Sequence, residues 1–276
     1  MKNNYPSCYN LSSEELVKKS RSPLLVAENC GKIFYEFALN MIEQIVENNR
    51  LGRKSVFICP AGPVGQYPIF ARLARTRKVC LQNTWLINMD EYLDDNNRCL
   101  SSSDPLSFHY CMDQYLYSKL DSEFTIPVDR RIFPDPSDPD VIQKLIEKLG
   151  GVDIAFGGVA LNGHVAFNDP QPELSIEEFA ALSTRGVKLS QTTRIKDAIL
   201  NRGGAVDSLP EQAITIGMKE IFSARKVRFS IMLDMQRAVL RKVCCCEISS
   251  SCPISFAQRH PDAILMVTSN VMKKPF

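Results

Sequence analysis

Short apolar runs alternate with longer segments of helical period along this 276-residue chain. Between the runs, apolar residues recur at three- and four-residue steps, as in the segment from Cys30 to Asn49. Strands separated by helices pair in parallel, so the pattern predicts an α/β fold with a mainly parallel sheet and helices on both faces. The predicted strands are Ser55 to Cys59, Trp85 to Met89, Val152 to Phe156, Ala213 to Ile216, Val227 to Leu233 and Ala263 to Val267.

No repeat and no long Pro/Gly/Ser-rich linker divides the sequence, so we predict one domain, residues 1–276. Residues 171–204 are acidic first and then basic, have weak strand character, and end at Gly203-Gly204. We interpret this stretch as a candidate lid over the active site, with a plain surface excursion as the alternative.

Charge and hydropathy exclude several classes of partner. Lysine and arginine number 33 against 31 acidic residues, and a net charge of +2 argues against nucleic acid binding. No apolar run reaches the roughly 18 residues that span a bilayer, and the first residues lack the apolar core of a signal peptide, so we expect a cytoplasmic protein without a membrane partner.

The ten cysteines show no CxxC pair and are expected to be buried thiols, with a secreted disulfide framework as the alternative.

Three loops that follow predicted strands carry the residues suited to chemistry, since ligands of open α/β sheets bind at the carboxyl ends of the strands. They are PAGPVGQYP from residue 60, Asp90-Glu91-Tyr92, and GGVALNGHVAFNDP from residue 157. In the third loop, His164 precedes Asp169 by five residues and offers a proton carrier with a carboxylate to orient it. The alternative is a solvated turn or helix cap for the carboxylates and a surface ring for the histidine. Three histidines without ligand spacing predict no metal site.

The third loop, together with NMDEY at 88–92, resembles the signature pair of the glucosamine-6-phosphate deaminase (isomerase) family. The resemblance runs from about Cys30 to Thr268 and includes LPEQAITIG at 209–217 and CPISFAQRHPDAILMV at 252–267. It implies a Rossmann-like fold and conversion of an amino sugar phosphate to a ketose phosphate and ammonia without a cofactor. It also implies a hydrolase and isomerase of amino sugar metabolism, with a sugar phosphate as ligand and a homo-oligomeric state.

The resemblance also implies roles for single residues. His164 matches the group that opens the sugar ring, and Asp90 matches the base that carries a proton from C2 to C1. Asn162 and Asp169 match the residues that polarise the histidine. The implied substrate- and phosphate-binding residues are Gly62, Gly65, Glu91 and Arg237.

This chain departs from the family pattern at several of these positions. The family often has Asp at 162 and Glu at 169, and a Ser/Thr-containing phosphate turn where this chain has PAGPVGQYP. Ile199 stands at the position of the lid arginine, with Arg194 and Arg202 nearby. Two alternatives therefore stay open: a catalytically weakened protein that binds sugar phosphate as a sensor, and a related sugar-phosphate isomerase or lactonase.

Overall fold

The computed structural model describes residues 6–276, which form two sheets surrounded by helices. The strands are β1 Leu24–Ala27, β2 Ser55–Cys59, β3 Thr84–Asn88, β4 Asp90–Leu93, β5 Arg131–Ile132, β6 Ile154–Gly158, β7 Arg185–Lys188, β8 Gln212–Thr215, β9 Lys226–Ile231 and β10 Ala263–Thr268. The α-helices are α1 Ser13–Lys19, α2 Cys30–Arg50, α3 Gln66–Thr76, α4 Phe108–Tyr115, α5 Val141–Leu149, α6 Ile176–Ala180, α7 Gln191–Asn201, α8 Met218–Phe222 and α9 Arg237–Cys245.

The larger sheet has seven strands in the order β1-β10-β9-β6-β2-β3-β5, and every neighbouring pair is parallel. Successive residues of β2 face opposite sides, so Val56 and Ile58 join a core with α5 and α9. Phe57 and Cys59 join a second core with α2, α3 and α4. The predicted α/β fold, with a parallel sheet covered by helices on both faces, is confirmed.

The strand order also determines where a ligand can enter. From β2 the chain moves outward to β3 and β5, then returns to place β6 on the other side of β2. The connections leave β2 and β6 in opposite directions, which makes this pair the switch point where open α/β sheets form their binding crevice. The loops after β2 and β6 therefore flank that crevice.

The segment at Asp90-Glu91 was predicted as a loop, and this was wrong. It forms β4, which pairs antiparallel with β8, and β8 pairs antiparallel with β7 in a three-stranded second sheet. The run Ala213 to Ile216 thus lies in this small sheet rather than in the parallel one. All four β4 residues are buried, since the chain leaving β3 continues directly into a new set of strand partners.

Residues 171–204 contain α6, β7 and α7, so helices and a strand are both present in this range. All ten cysteines are free thiols, four of them buried. Within residues 6–276, no helix is both long and apolar enough to cross a membrane.

Candidate active site

A cavity of about 760 Å³ lies at the carboxyl edge of the parallel sheet. Its walls come from the loops after β2 and β6, from β4, from the C-terminal half of α7 and from the segment before α9. Asp90 and His164 both line it, so two groups that are far apart in sequence face one volume. The cavity therefore occupies the crevice that the strand order predicts.

A tight turn places His164 on the cavity wall. Gly163 adopts a positive φ of 88°, and its amide donates to the carbonyl of Ala160 at 3.0 Å. A β-carbon at this position would lie 3.0 Å from the sulfur of Cys252, so the site requires glycine for its space as well as for its backbone angle. The Asn162 side-chain oxygen then accepts from the His164 amide at 3.2 Å, which holds the turn in place.

The Asp169 carboxylate fixes the orientation of the imidazole. His164 Nδ1 lies 2.8 Å from Asp169 Oδ1, the same oxygen that accepts from the Asn162 amide nitrogen at 2.9 Å and from Thr193 Oγ1 at 2.8 Å. The second oxygen accepts from the Ser190 amide at 3.2 Å. With its hydrogen held on Nδ1, the ring leaves Nε2 as the nitrogen available to a bound molecule.

Burial and hydrogen bonding together determine the protonation states of His164 and Asp169. Burial lowers the pKa of His164 below its usual value, and the bond with Asp169 only partly offsets that effect, so the imidazole is neutral at pH 7. Burial acts to raise the pKa of Asp169, but the hydrogen bonds it receives, chiefly from His164, hold that pKa well below the usual range. The result is a neutral base oriented by an ionised carboxylate.

Asp90 begins β4 and is 7% exposed. Burial, followed by the negative charges of Glu91 and Asp197, raises its pKa to about 8, while Lys196 acts to lower it. A carboxyl group with a pKa near neutrality exchanges protons in both directions, as a group that first takes and then returns a proton must.

Glu91 points away from the cavity. Its carboxylate accepts from the Ser107 hydroxyl at 2.9 Å and from the amides of Phe108 and His109 at 2.9 and 3.1 Å, and it contacts His109 Nδ1 at 2.9 Å. These donors surround the N-terminus of α4, where a negative charge is stabilised by the helix dipole. Glu91 therefore caps a helix, and it does not line the cavity.

Of the predicted phosphate-binding residues, only Gly62 lies on the cavity wall, and Gly65, Glu91 and Arg237 do not. Gly62 lines the cavity with open space beside it, whereas Gly65 starts α3 against the Phe34 ring, which a β-carbon would approach to 2.3 Å. Arg237 pairs with Asp234 at 2.8 Å and lies outside the cavity wall. Arg202 does line the cavity, and its buried Nε has no hydrogen-bond partner among the described residues.

Sequence reasoning missed the contribution of α7. Thr193, Lys196 and Asp197 follow the i, i+3, i+4 spacing that places side chains on one helix face. Thr193 bonds Asp169, while Lys196 Nζ lies 2.5 Å from Asp197 Oδ1 and both line the cavity. This spacing in a polar helix was the available signal, but the sequence alone does not show that the helix folds over the sheet edge.

Several proteins of known activity are similar in sequence to this chain. The glucosamine-6-phosphate deaminase 1 of Bacillus subtilis is 28% identical over 211 residues, covering 74% of this chain and 80% of that protein. The glucosamine-6-phosphate deaminase of Caenorhabditis elegans is 27% identical over 241 residues, covering 86% of both chains. No protein-family model matches the sequence.

Solved structures point the same way. A monomeric glucosamine-6-phosphate deaminase of the NagB superfamily superposes with a TM-score of 0.79 at 25% identity, covering 90% of this chain and 98% of that one. A 6-phosphogluconolactonase from Shewanella baltica superposes with a TM-score of 0.63 at 11% identity over 90% of this chain and 98% of that one, a likeness of fold alone. The expectation of a hydrolase is wrong, because that term fits the lactonases, whereas the relatives found by sequence are named deaminases.

Proposed function

We propose that this chain, which belongs to the glucosamine-6-phosphate deaminase/isomerase family, converts glucosamine 6-phosphate or a close relative to fructose 6-phosphate and ammonia. The observation that carries the proposal is the pairing, across one cavity, of an oriented neutral histidine with a carboxyl group of raised pKa. Such a pair supplies the two proton transfers that the reaction needs, first at oxygen and then at carbon.

Ring opening is the task of His164. The reaction moves a proton from the anomeric hydroxyl to the ring oxygen, which requires a group that both accepts and donates. Nε2 is the free nitrogen for this transfer, and Asp169 stabilises the imidazolium that forms in passing. Asn162 supports Asp169 by donating to it, so an amide here retains the orienting function even though it carries no charge.

Isomerisation is the task of Asp90. Once the chain is open, the carboxylate removes the proton from C2, and the protonated group returns it to C1, which leaves an imine at C2. Water then adds to the imine carbon, and the nitrogen leaves as ammonia as the C2 ketone forms. Because its pKa is about 8, Asp90 is mostly protonated in the empty site at pH 7. The positive charge of the amino sugar next to it favours the ionised form, so substrate binding itself prepares the base.

Phosphate recognition falls to a different arginine than the sequence predicted. Arg202 is a cation on the cavity wall without an ion-pair partner among residues 6–276, whereas Arg237 is already paired. Gly62 leaves room for an anion beside the loop after β2, and α3 begins just beyond that loop. We assign the phosphate to Arg202 and retain only Gly62 of the predicted set.

The architecture that supports this function is proposed as a single domain over 1–276, with residues 171–204 as a lid that carries α7 to the site. A homo-oligomer stays a prediction, which sedimentation analysis tests.

The sensor alternative has less support, because the Asp90 and His164 groups are both present and face one cavity. The lactonase alternative rests on fold alone.

Ammonia release from glucosamine 6-phosphate, measured with a coupled dehydrogenase, tests the proposal. We expect turnover by the wild type, loss of about 100- to 10,000-fold in Asp90→Asn, and full activity in Asp113→Asn, which removes an exposed carboxylate on α4. Tight binding of the sugar phosphate without ammonia would identify a sensor. Turnover of 6-phosphogluconolactone instead would identify a lactonase.

A further inference from the structure

Lys196 is a half-buried cation that the proton transfers described above do not use. Its side chain is 15% exposed and lies on the cavity wall. Its charge acts on both catalytic groups, since it lowers the pKa of Asp90 and that of His164. Thr193, three residues earlier on the same face of α7, has its Oγ1 3.2 Å from His164 Nδ1, so the Lys196 side chain lies on the part of α7 that faces the His164 end of the cavity.

The proposed reaction creates a negative charge on the C1 oxygen of the substrate at that end of the cavity. When Asp90 takes the C2 proton, the C2–H electron pair forms the C1–C2 double bond and the carbonyl electrons move onto O1. The C1 oxygen also exchanges its proton with His164 during ring opening, so it lies between these two residues. A positive group there stabilises the oxyanion as it forms.

We infer that Lys196 is a catalytic residue that binds the C1 oxygen of the open-chain substrate and stabilises its negative charge during proton removal from C2. This inference rests on the proposed function and adds to it a group on α7, outside the strand that carries Asp90 and the loop that carries His164. It requires no cofactor, because both electrons of the broken C2–H bond stay in the substrate.

Asp197 and Tyr92 hold Lys196 in place. Lys196 Nζ contacts Asp197 Oδ1 at 2.5 Å, and the Tyr92 hydroxyl donates to Asp197 Oδ2 at 3.2 Å. The carboxylate is thus fixed from both sides, which limits the rotamers of the lysine before substrate arrives. Asp197 and Tyr92 are positioning residues, since each acts through the ammonium group.

Charges from two elements face Asp90. Glu91 on its own strand and Asp197 on α7 are negative, and Lys196 on α7 is positive. Loss of Lys196 therefore has two separable effects. It raises the pH at which Asp90 ionises, and it removes the partner of O1 even when Asp90 is fully ionised.

Binding of two open-chain analogues tests the inference without turnover. In 2-amino-2-deoxygluconate 6-phosphate, C1 is a carboxylate, and in 2-amino-2-deoxyglucitol 6-phosphate it is a neutral alcohol. We expect Lys196→Met to weaken binding of the carboxylate by about 10- to 100-fold, the value of a charge-assisted hydrogen bond, and to leave the alcohol within about threefold. Lys188→Met, which removes an 80% exposed lysine from β7, is the matched control and should change neither.

Kinetics separate the two effects of the charge. If Lys196 stabilises O1, kcat of Lys196→Met stays about 100- to 1,000-fold low even at a pH above the variant's own raised apparent pKa, where its pH–rate profile is flat and Asp90 is ionised. If it only tunes Asp90, kcat recovers at that pH and the inference is overturned, as it is by equal losses for the two analogues. A wild type that releases ammonia beside an equally active Lys196→Met refutes the inference alone, whereas a wild type that releases none refutes the proposed function.

Discussion

Replacing Asp90 by asparagine should make the protein more stable while abolishing its activity. Burial raises the pKa of this carboxyl group to about 8 in the folded protein, against an ordinary value of 3.8. Below about pH 3 it is mostly protonated in both the folded and the unfolded chain and has little effect. As the pH rises towards 8, only the unfolded chain ionises, so folding is penalised by about 1.4 kcal/mol per pH unit from this group.

The penalty can be worked out at two pH values. At pH 5 it is about 1.6 kcal/mol, and at pH 8 it approaches 5 kcal/mol as a ceiling, because water reaching the cavity reduces it. Asparagine keeps the shape of the side chain and cannot ionise. The stability gained by Asp90→Asn should therefore grow by about 2–4 kcal/mol between pH 5 and pH 8.

Urea denaturation of the wild type and Asp90→Asn at both pH values measures this difference. Asp113→Asn serves as the control for removing a carboxylate and should follow the wild type at both. If Asp90→Asn gains the same stability at pH 5 as at pH 8, or is less stable at pH 8, the burial of an ionisable group at this position has been misjudged.

Three further predictions follow from the site and its surroundings. His164→Gln should recover much of its activity on a 4,5-dideoxy substrate analogue, which has no hydroxyl able to close a five- or six-membered ring; equal loss on cyclic and open substrates would assign the histidine another role. Arg202→Ala should weaken binding of glucosamine 6-phosphate by about 10- to 100-fold in calorimetry, with glucosamine itself unchanged, whereas Arg237→Ala should have little effect; the reverse order would return the phosphate to Arg237. Gly65→Ala should lower the free energy of unfolding by about 1–3 kcal/mol, because its β-carbon overlaps the Phe34 ring, with the more open Gly62→Ala as the matched comparison in thermal unfolding.

The parallel sheet could be predicted because most of its central strands are apolar runs, although Arg228 and Ser230 interrupt the run in β9. The run Ser55 to Cys59 matches β2 residue for residue, and all five positions are buried. Edge strands gave weaker signals: β1 has one exposed valine and β5 only two residues. The turn after β6 could be predicted as well, since glycine next to a polar residue and a histidine indicates a loop that can carry catalytic residues.

The second sheet could not be predicted, and the reason is physical. β4 begins with two acids, and buried carboxylates are rare in strands because each must be compensated. Glu91 is compensated by α4, whose N-terminus lies 16 residues further along the chain at Ser107. No local pattern reveals a partner at that distance, so a Glu that caps a helix was mistaken for a substrate ligand.

The departures of this chain from the family pattern can be explained together, by their effect on the protonation of His164. Asn162 donates to Asp169, which already receives bonds from His164 and Thr193. An aspartate at 162 would put a second negative charge against that carboxylate and raise the pKa of His164. In this chain the asparagine keeps the imidazole neutral, and Lys196 adds a positive charge that acts in the same direction. Both features favour a histidine that accepts a proton only transiently, while the cation on α7 stabilises the negative charge that the substrate develops. Asn162 in the loop after β6 and Lys196 on α7 are therefore two parts of one electrostatic arrangement.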